Sequence, residues 1–160
     1  AGDTTHTPDI LIHALDEIEK IDNIKYDVIV LLQPTVPFRK GQHIDASIKK
    51  FKESSFESLI TVKKQDYPPW WMFQLKNNKL TTAFKYDDGM NVFNMERQEF
   101  PSVYKPNGSV YVTSTKLLRK NLQLVNPKSC GYLIVEDEYQ INIDNPVDFY
   151  LAEIIAKEIG

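Results

Sequence analysis

One cysteine, Cys130, stands among 160 residues, so no disulfide can close within the chain. That usage suits a reducing compartment, and a cytoplasmic protein is expected. Glycine is scarce as well. Six are present and none cluster, which leaves no glycine-rich loop of the kind that cradles nucleotide phosphates. No apolar run approaches the ~20 residues of a membrane span. The polar opening Ala1-Gly2-Asp3-Thr4-Thr5-His6 shows no signal-peptide pattern. A basic excess is missing too: 19 Lys and Arg against 22 Asp and Glu give a net charge of -3, with no sign of a face for nucleic acid. His6, His13 and His43 form no ligand spacing, and no Cys/His zinc pattern exists. What remains is ordinary. Hydrophobic content of 42% and charged content of 26% describe a globular chain long enough for one real core.

The most informative segment is Val28-Ile-Val-Leu-Leu-Gln-Pro-Thr-Val-Pro-Phe-Arg39. Val28 to Leu32 reads as a strand buried on both faces, as in a parallel sheet. Pro34 and Pro37 forbid regular structure beyond it, which puts Gln33 near the strand's carboxyl end. In open α/β sheets that edge is where ligands bind.

Around this segment the pattern alternates. Thr7 suits a helix N-cap and Pro8 the first helical position. Ile10, Leu11, Ala14, Leu15 and Ile18 then recur at helical spacing, with His13 expected to pack beside them. Ile44, Ile48 and Phe51 form one face of a second helix, and Ser58 to Val62 reads as another short strand. This αβαβ rhythm predicts a layered α/β fold. Residues 66–106 break it with Pro68-Pro69-Trp70-Trp71, Asn77-Asn78 and Asp88-Gly89, turn signals between aromatic-rich segments, and are expected to be an insertion of hairpins. Further strands are expected at Ser109–Val112 and Tyr132–Val135. Thr113 or Ser114 is expected to cap a short helix. Asn145-Pro146-Val147-Asp148 opens a last helix, whose buried face would be Phe149 or Tyr150, Leu151, Ile154 and Ile155.

Three segments, in order, resemble one family, the CMP-sialic acid synthetases (acylneuraminate cytidylyltransferases). Leu31-Leu-Gln-Pro-Thr-Val-Pro-Phe-Arg39 is close to the family's LLQPTSPLR. Arg97-Gln-Glu-Phe-Pro with Tyr104-Lys-Pro-Asn-Gly-Ser-Val-Tyr111 is similar to its RQ…RPNGAIY. Gln140-Ile-Asn-Ile-Asp-Asn-Pro-Val-Asp-Phe149 is similar to its IDIDTPLDF. Asp3-Thr4 through Thr7 looks like its SDTAS segment. The resemblance implies a three-layer, Rossmann-like nucleotidyltransferase fold, incomplete here, with residues 66–106 as a β-rich dimerisation and substrate insertion. It implies transfer of CMP from CTP to the anomeric hydroxyl of a nine-carbon α-keto acid sugar, such as sialic, legionaminic or pseudaminic acid. Pyrophosphate leaves, magnesium neutralises the triphosphate, and the product would feed lipopolysaccharide or capsule synthesis. The expected partners are those two substrates and a second copy of the chain, with no nucleic acid and no membrane.

Residue by residue, the resemblance places Gln33 at the sugar near the reacting centre and Arg97 on the sugar's carboxylate. Lys105 stands where the family usually has arginine; it retains the charge and loses the planar fork. Asn107 would contact the sugar, Gly108 would let the backbone approach it, and Tyr111 would line the same pocket. Asp144 would act in catalysis and hold magnesium. Asn142 replaces the family's other aspartate there as an uncharged magnesium ligand, so reduced magnesium affinity, or a single held ion, is expected. Thr7 aligns near the cytosine pocket, and its N-cap role explains it equally well. Arg39 is open between an anion and a local carboxylate. Trp70 and Trp71 are either anchors of the insertion or a pocket wall for acyl groups. Cys130 reads as an ordinary thiol.

The family's opening strand and glycine-rich basic loop are not found here. The expectation is therefore a C-terminal two-thirds of a synthetase, inactive alone. The alternatives are a non-catalytic sugar-binding or dimerisation module and an enzyme acting on the eight-carbon acid Kdo.

Overall fold

The computed structural model describes residues 5–86, 91–136, 139 and 141–159. Asp3-Thr4, the turn at Asp88-Gly89 and Gln140 at the head of the third motif lie outside the described residues. The chain divides into two compact units, one of Ala1–Val62 with Pro106–Gly160 and one of Lys63–Lys105.

The first unit is α/β with a mixed sheet. Helix α1 is Thr7–Asp22, strand β1 Val28–Leu31, helix α2 Gly41–Lys52 and strand β2 Ser58–Lys64, whose end leads into the second unit. Strand β5, Tyr104–Ser114, leads back and is followed by helix α3 Thr115–Asn121, strand β6 Cys130–Ile134 and helix α4 Pro146–Ile159. The four strands lie in the order β1-β5-β2-β6. β1 runs antiparallel to β5, with Leu31 opposite Tyr111, and β2 runs parallel to β6.

Val110 and Val112, alternating on β5, turn one sheet face toward Phe51 of α2, and Leu59 of β2 completes this buried cluster. Val28, Val30, Ile44 and Leu133 pack against it. Buried on removal from water, each such side chain contributes roughly 1.5–3 kcal/mol.

Several expectations are corrected. β1 pairs antiparallel, has β5 as its one neighbour among the described strands, and is half-buried along its length rather than sealed on both faces. The helix start falls one residue early: His6 is the N-cap of α1 and Thr7 is already helical. The face of α1 is rotated. Leu15 and Glu19 are buried, while Ile10, His13, Ala14 and Ile18 are exposed. The cause is electrostatic, because Glu19 and Asp16 both meet Arg119 of α3 at 3.1 and 2.7 Å. On α4 only Ala152 and Ile155 are buried, and Phe149, Tyr150, Leu151 and Ile154 are exposed. Apolar residues surround that helix, so composition alone does not select its face.

The second unit holds the hairpin of β3, Phe73–Lys76, and β4, Lys79–Thr82. Asn77 and Asn78 both take positive φ (50° and 58°), as a type I′ turn requires. Trp70 stacks on the buried Phe100 ring at 5.4 Å and meets Tyr86 edge-on at 4.8 Å. Trp71 donates its indole N–H to the Val92 carbonyl at 2.8 Å. The two tryptophans are thus anchors within this unit.

Candidate functional site

At the carboxyl end of β1 the proline loop folds back on itself. Val36, buried, donates its N–H to the Gln33 carbonyl at 3.2 Å. The Arg39 guanidinium donates from Nη2 to the same carbonyl at 2.5 Å and from Nε to the Ser109 carbonyl at 2.6 Å. Its partners are main-chain oxygens, so the expectation of an anion or a carboxylate gives way to a structural tie. Burial holds this guanidinium below its ordinary range.

The facing wall comes from β5. Asn107 is buried, and its Oδ1 accepts the Thr61 hydroxyl at 2.6 Å and the Ser109 N–H at 3.1 Å. Thr61 Oγ1 in turn accepts the Val110 N–H at 2.9 Å. Gly108 sits at φ 75°, and a Cβ there would lie 2.5 Å from Gln33 Oε1. The Gln33 amide therefore lies directly on the Gly108 backbone, an approach that a side chain would block. Ser109 Oγ is buried with no hydrogen-bond partner among the described residues. Tyr111, half-buried, continues this strand, and burial pushes its phenol above the ordinary value.

A third segment joins the same loop. Thr35 donates its hydroxyl to Asn142 Oδ1 at 2.6 Å, and the Ile143 N–H reaches the Thr35 carbonyl at 2.8 Å. Asn142 Nδ2 donates to both Asp144 carboxylate oxygens, at 3.0 and 2.8 Å. Asp144 is exposed just before α4. Its own N–H and that of Asn145 are held by Asp148, while Asn145 Oδ1 accepts from Val147 and Asp148. This is a reciprocal cap that fixes the approach to the helix.

Gln33, Asn107 and Gly108 thus come together, and Thr35 ties Asn142 and Asp144 to their loop. Thr7 is exposed on the first turn of α1. Arg97 and Lys105 belong to the second unit, both exposed. There Arg97 lies 3.8 Å from Asp66, and with Lys64, Gln98 and Phe100 the pair lines a hollow of about 310 Å³. Sequence reading passes over Thr35, Thr61 and Ser109, which hold the named residues in place. The one visible signal was a hydroxyl in the middle of an apolar strand at Thr61.

No family model matches the chain. Along 98% of its length it is 26% identical to the CMP-N,N'-diacetyllegionaminic acid synthase of Legionella pneumophila. It is 24% identical, over 99% of its length, to the post-translational flagellin modification protein B of Campylobacter coli. The chain spans 65% of the length of each of these relatives. An N-acylneuraminate cytidylyltransferase of Escherichia coli is 24% identical over 83% of the chain and 30% of its own length. The chain is thus similar along most of its length to a CMP-sugar synthase and to a cytidylyltransferase, in keeping with its resemblance to the CMP-sialic acid synthetases.

The resemblance implies magnesium, and the donor set fits it in part. Magnesium is commonly held by one or two carboxylates together with substrate phosphates. The exposed Asp144 suits the first role. Asn142 as oriented does not, because its N–H donors face Asp144 and its oxygen is turned to Thr35. Among the described residues no three His, Cys, Asp or Glu side chains converge. No helix among them is long and apolar enough to cross a membrane.

Proposed function

We propose that the chain forms the sugar-acid wall of an enzyme that transfers CMP from CTP to a nine-carbon α-keto acid sugar. The sugar's anomeric oxygen attacks the α-phosphorus, the bond to pyrophosphate breaks, and the hydroxyl proton is lost. Such transfer rests on positioning and charge neutralisation more than on covalent chemistry by the protein. The observation that carries the reading is the convergence of Gln33, Asn107 and Gly108 at one sheet edge in a chain related along its length to CMP-sugar synthases.

In this reading Gln33 and Asn107 hold the sugar, Gly108 gives it backbone access, and Tyr111 lines the pocket. The family resemblance assigns Arg97 and Lys105 to the sugar's carboxylate and Thr7 to the cytidine. Magnesium, when bound, would screen the triphosphate charge, with Asp144 as its protein ligand and Asn142 orienting that carboxylate. The first unit would be part of a three-layer nucleotidyltransferase fold. The Lys63–Lys105 unit would serve dimerisation, a role that the exposed Phe73, Leu75 and Leu80 support. A cytoplasmic place, and supply of lipopolysaccharide or capsule synthesis, complete the proposal.

Calorimetric titration tests it. N-acetylneuraminic or legionaminic acid should bind, and the eight-carbon acid Kdo should bind at least tenfold more weakly. Equal binding of Kdo, or no binding of any nine-carbon acid, would overturn the reading.

A further inference from the structure

The loop between β1 and α2 has a shortage of donors. Pro34 and Pro37 carry no N–H, so little of the loop's own backbone can tie it to the sheet. Arg39 supplies what is missing. Its Nε and Nη2 donors span two carbonyls from different parts of the chain, Gln33 on one side and Ser109 on the other. The guanidinium is half-buried, and among the described residues no carboxylate lies within ion-pair distance of it.

We propose that Arg39 is a positioning residue, whose planar fork sets the spacing between the Gln33 loop and the Asn107–Ser109 strand. This deepens the reading of those two walls as the sugar-acid site and rests on it. The β1–β5 ladder ends at Leu31 opposite Tyr111, and beyond it the other links between the walls are weaker. Gln33 touches Gly108 through a flexible side chain, and Asn107 is fixed from β2 through Thr61, which says nothing to the loop. A lysine could reach one carbonyl and would lose the fork. An error of about 1 Å in spacing is enough to cost a reaction on the order of a hundredfold.

Arg39→Lys and Arg39→Gln test the proposal in the 160-residue chain, labelled with ¹⁵N. Amide exchange at Val36, Ser109 and Val110 should accelerate about tenfold or more, because these N–H groups report the tied segments. Exchange at Glu53, Leu122 and Val135, bonded elsewhere in the unit, should stay the same. Affinity for N-acetylneuraminic acid should fall at least tenfold in both variants. In the unmodified chain the Arg39 Nε–H signal should hold its position during titration while the Gln33 side-chain amide moves. Unchanged exchange at the three reporters, a uniform rise across the chain, or retained affinity would overturn the proposal. So would an Arg39 signal that moves as a direct ligand's does, a readout that needs no variant to fold. Should no sugar acid bind the unmodified chain, the proposed function fails and the exchange pattern alone decides on Arg39.

Discussion

At the scale of single residues the site is held by small groups in demanding positions. Gly108→Ala places a side chain at φ 75° and against Gln33 Oε1. The left-handed backbone alone costs about 1–2 kcal/mol. Thermal melting should fall by about 2–8 °C, and sugar-acid affinity should drop as Gln33 is displaced. Thr61→Val strands the Val110 N–H in a buried place and takes from Asn107 Oδ1 one of its donors, leaving it the Ser109 N–H. About 1–3 kcal/mol should be lost in urea unfolding, with most of it restored in Thr61→Ser. Asn142→Asp puts two carboxylates where an amide now donates to one. Without metal this variant should melt lower than the unmodified chain. Magnesium should raise its melting point more, and manganese titration should show at least tenfold tighter binding. Unchanged metal affinity would deny that Asn142 limits the site.

At the scale of elements the helix α1 is oriented by charge. The Lys25 ammonium, then the Tyr26 N–H and Arg119, hold the Glu19 carboxyl below its ordinary value of 4.5, and Arg119 does the same for Asp16. A carboxyl lowered in the folded state adds stability that is fully present above its unfolded value and lost as pH falls through the folded one. Urea midpoints should therefore decline below about pH 4.5. Glu19→Gln should lower the midpoint at pH 7 and flatten that decline; a decline of unaltered slope would remove Glu19 from the account. The same network explains a misread face. The isoleucines of α1 have helical spacing, yet a stripe one position over, centred on Leu15 and Glu19, is the buried one. Periodicity marked the helix, and only a partner a hundred residues away, Arg119, could choose its face. Caps were easier to see. Ser114 accepts the Leu117 N–H at 3.2 Å, and Asn145 caps α4, because those bonds are local in sequence.

At the scale of the whole chain, the αβαβ rhythm was legible because strand and helix periods are local properties. Strand order was not. The placement of β5 between β1 and β2 depends on pairing across about eighty residues, which no local pattern encodes. The end of β1 was visible as an amide followed by prolines; that Gln33 rests on Gly108 was not, since it arises only once β1 and β5 pair. The supporting hydroxyls of Thr35 and Thr61 escaped for the same reason. The central claim is that these two strands carry a sugar-acid site. A ¹H–¹⁵N shift map of the chain titrated with N-acetylneuraminic or legionaminic acid tests it most directly. The account predicts movement of the Gln33 and Asn107 side-chain amides and of the Gly108 and Ser109 backbone. Saturable binding that leaves those signals still, or no binding of either acid, would contradict it.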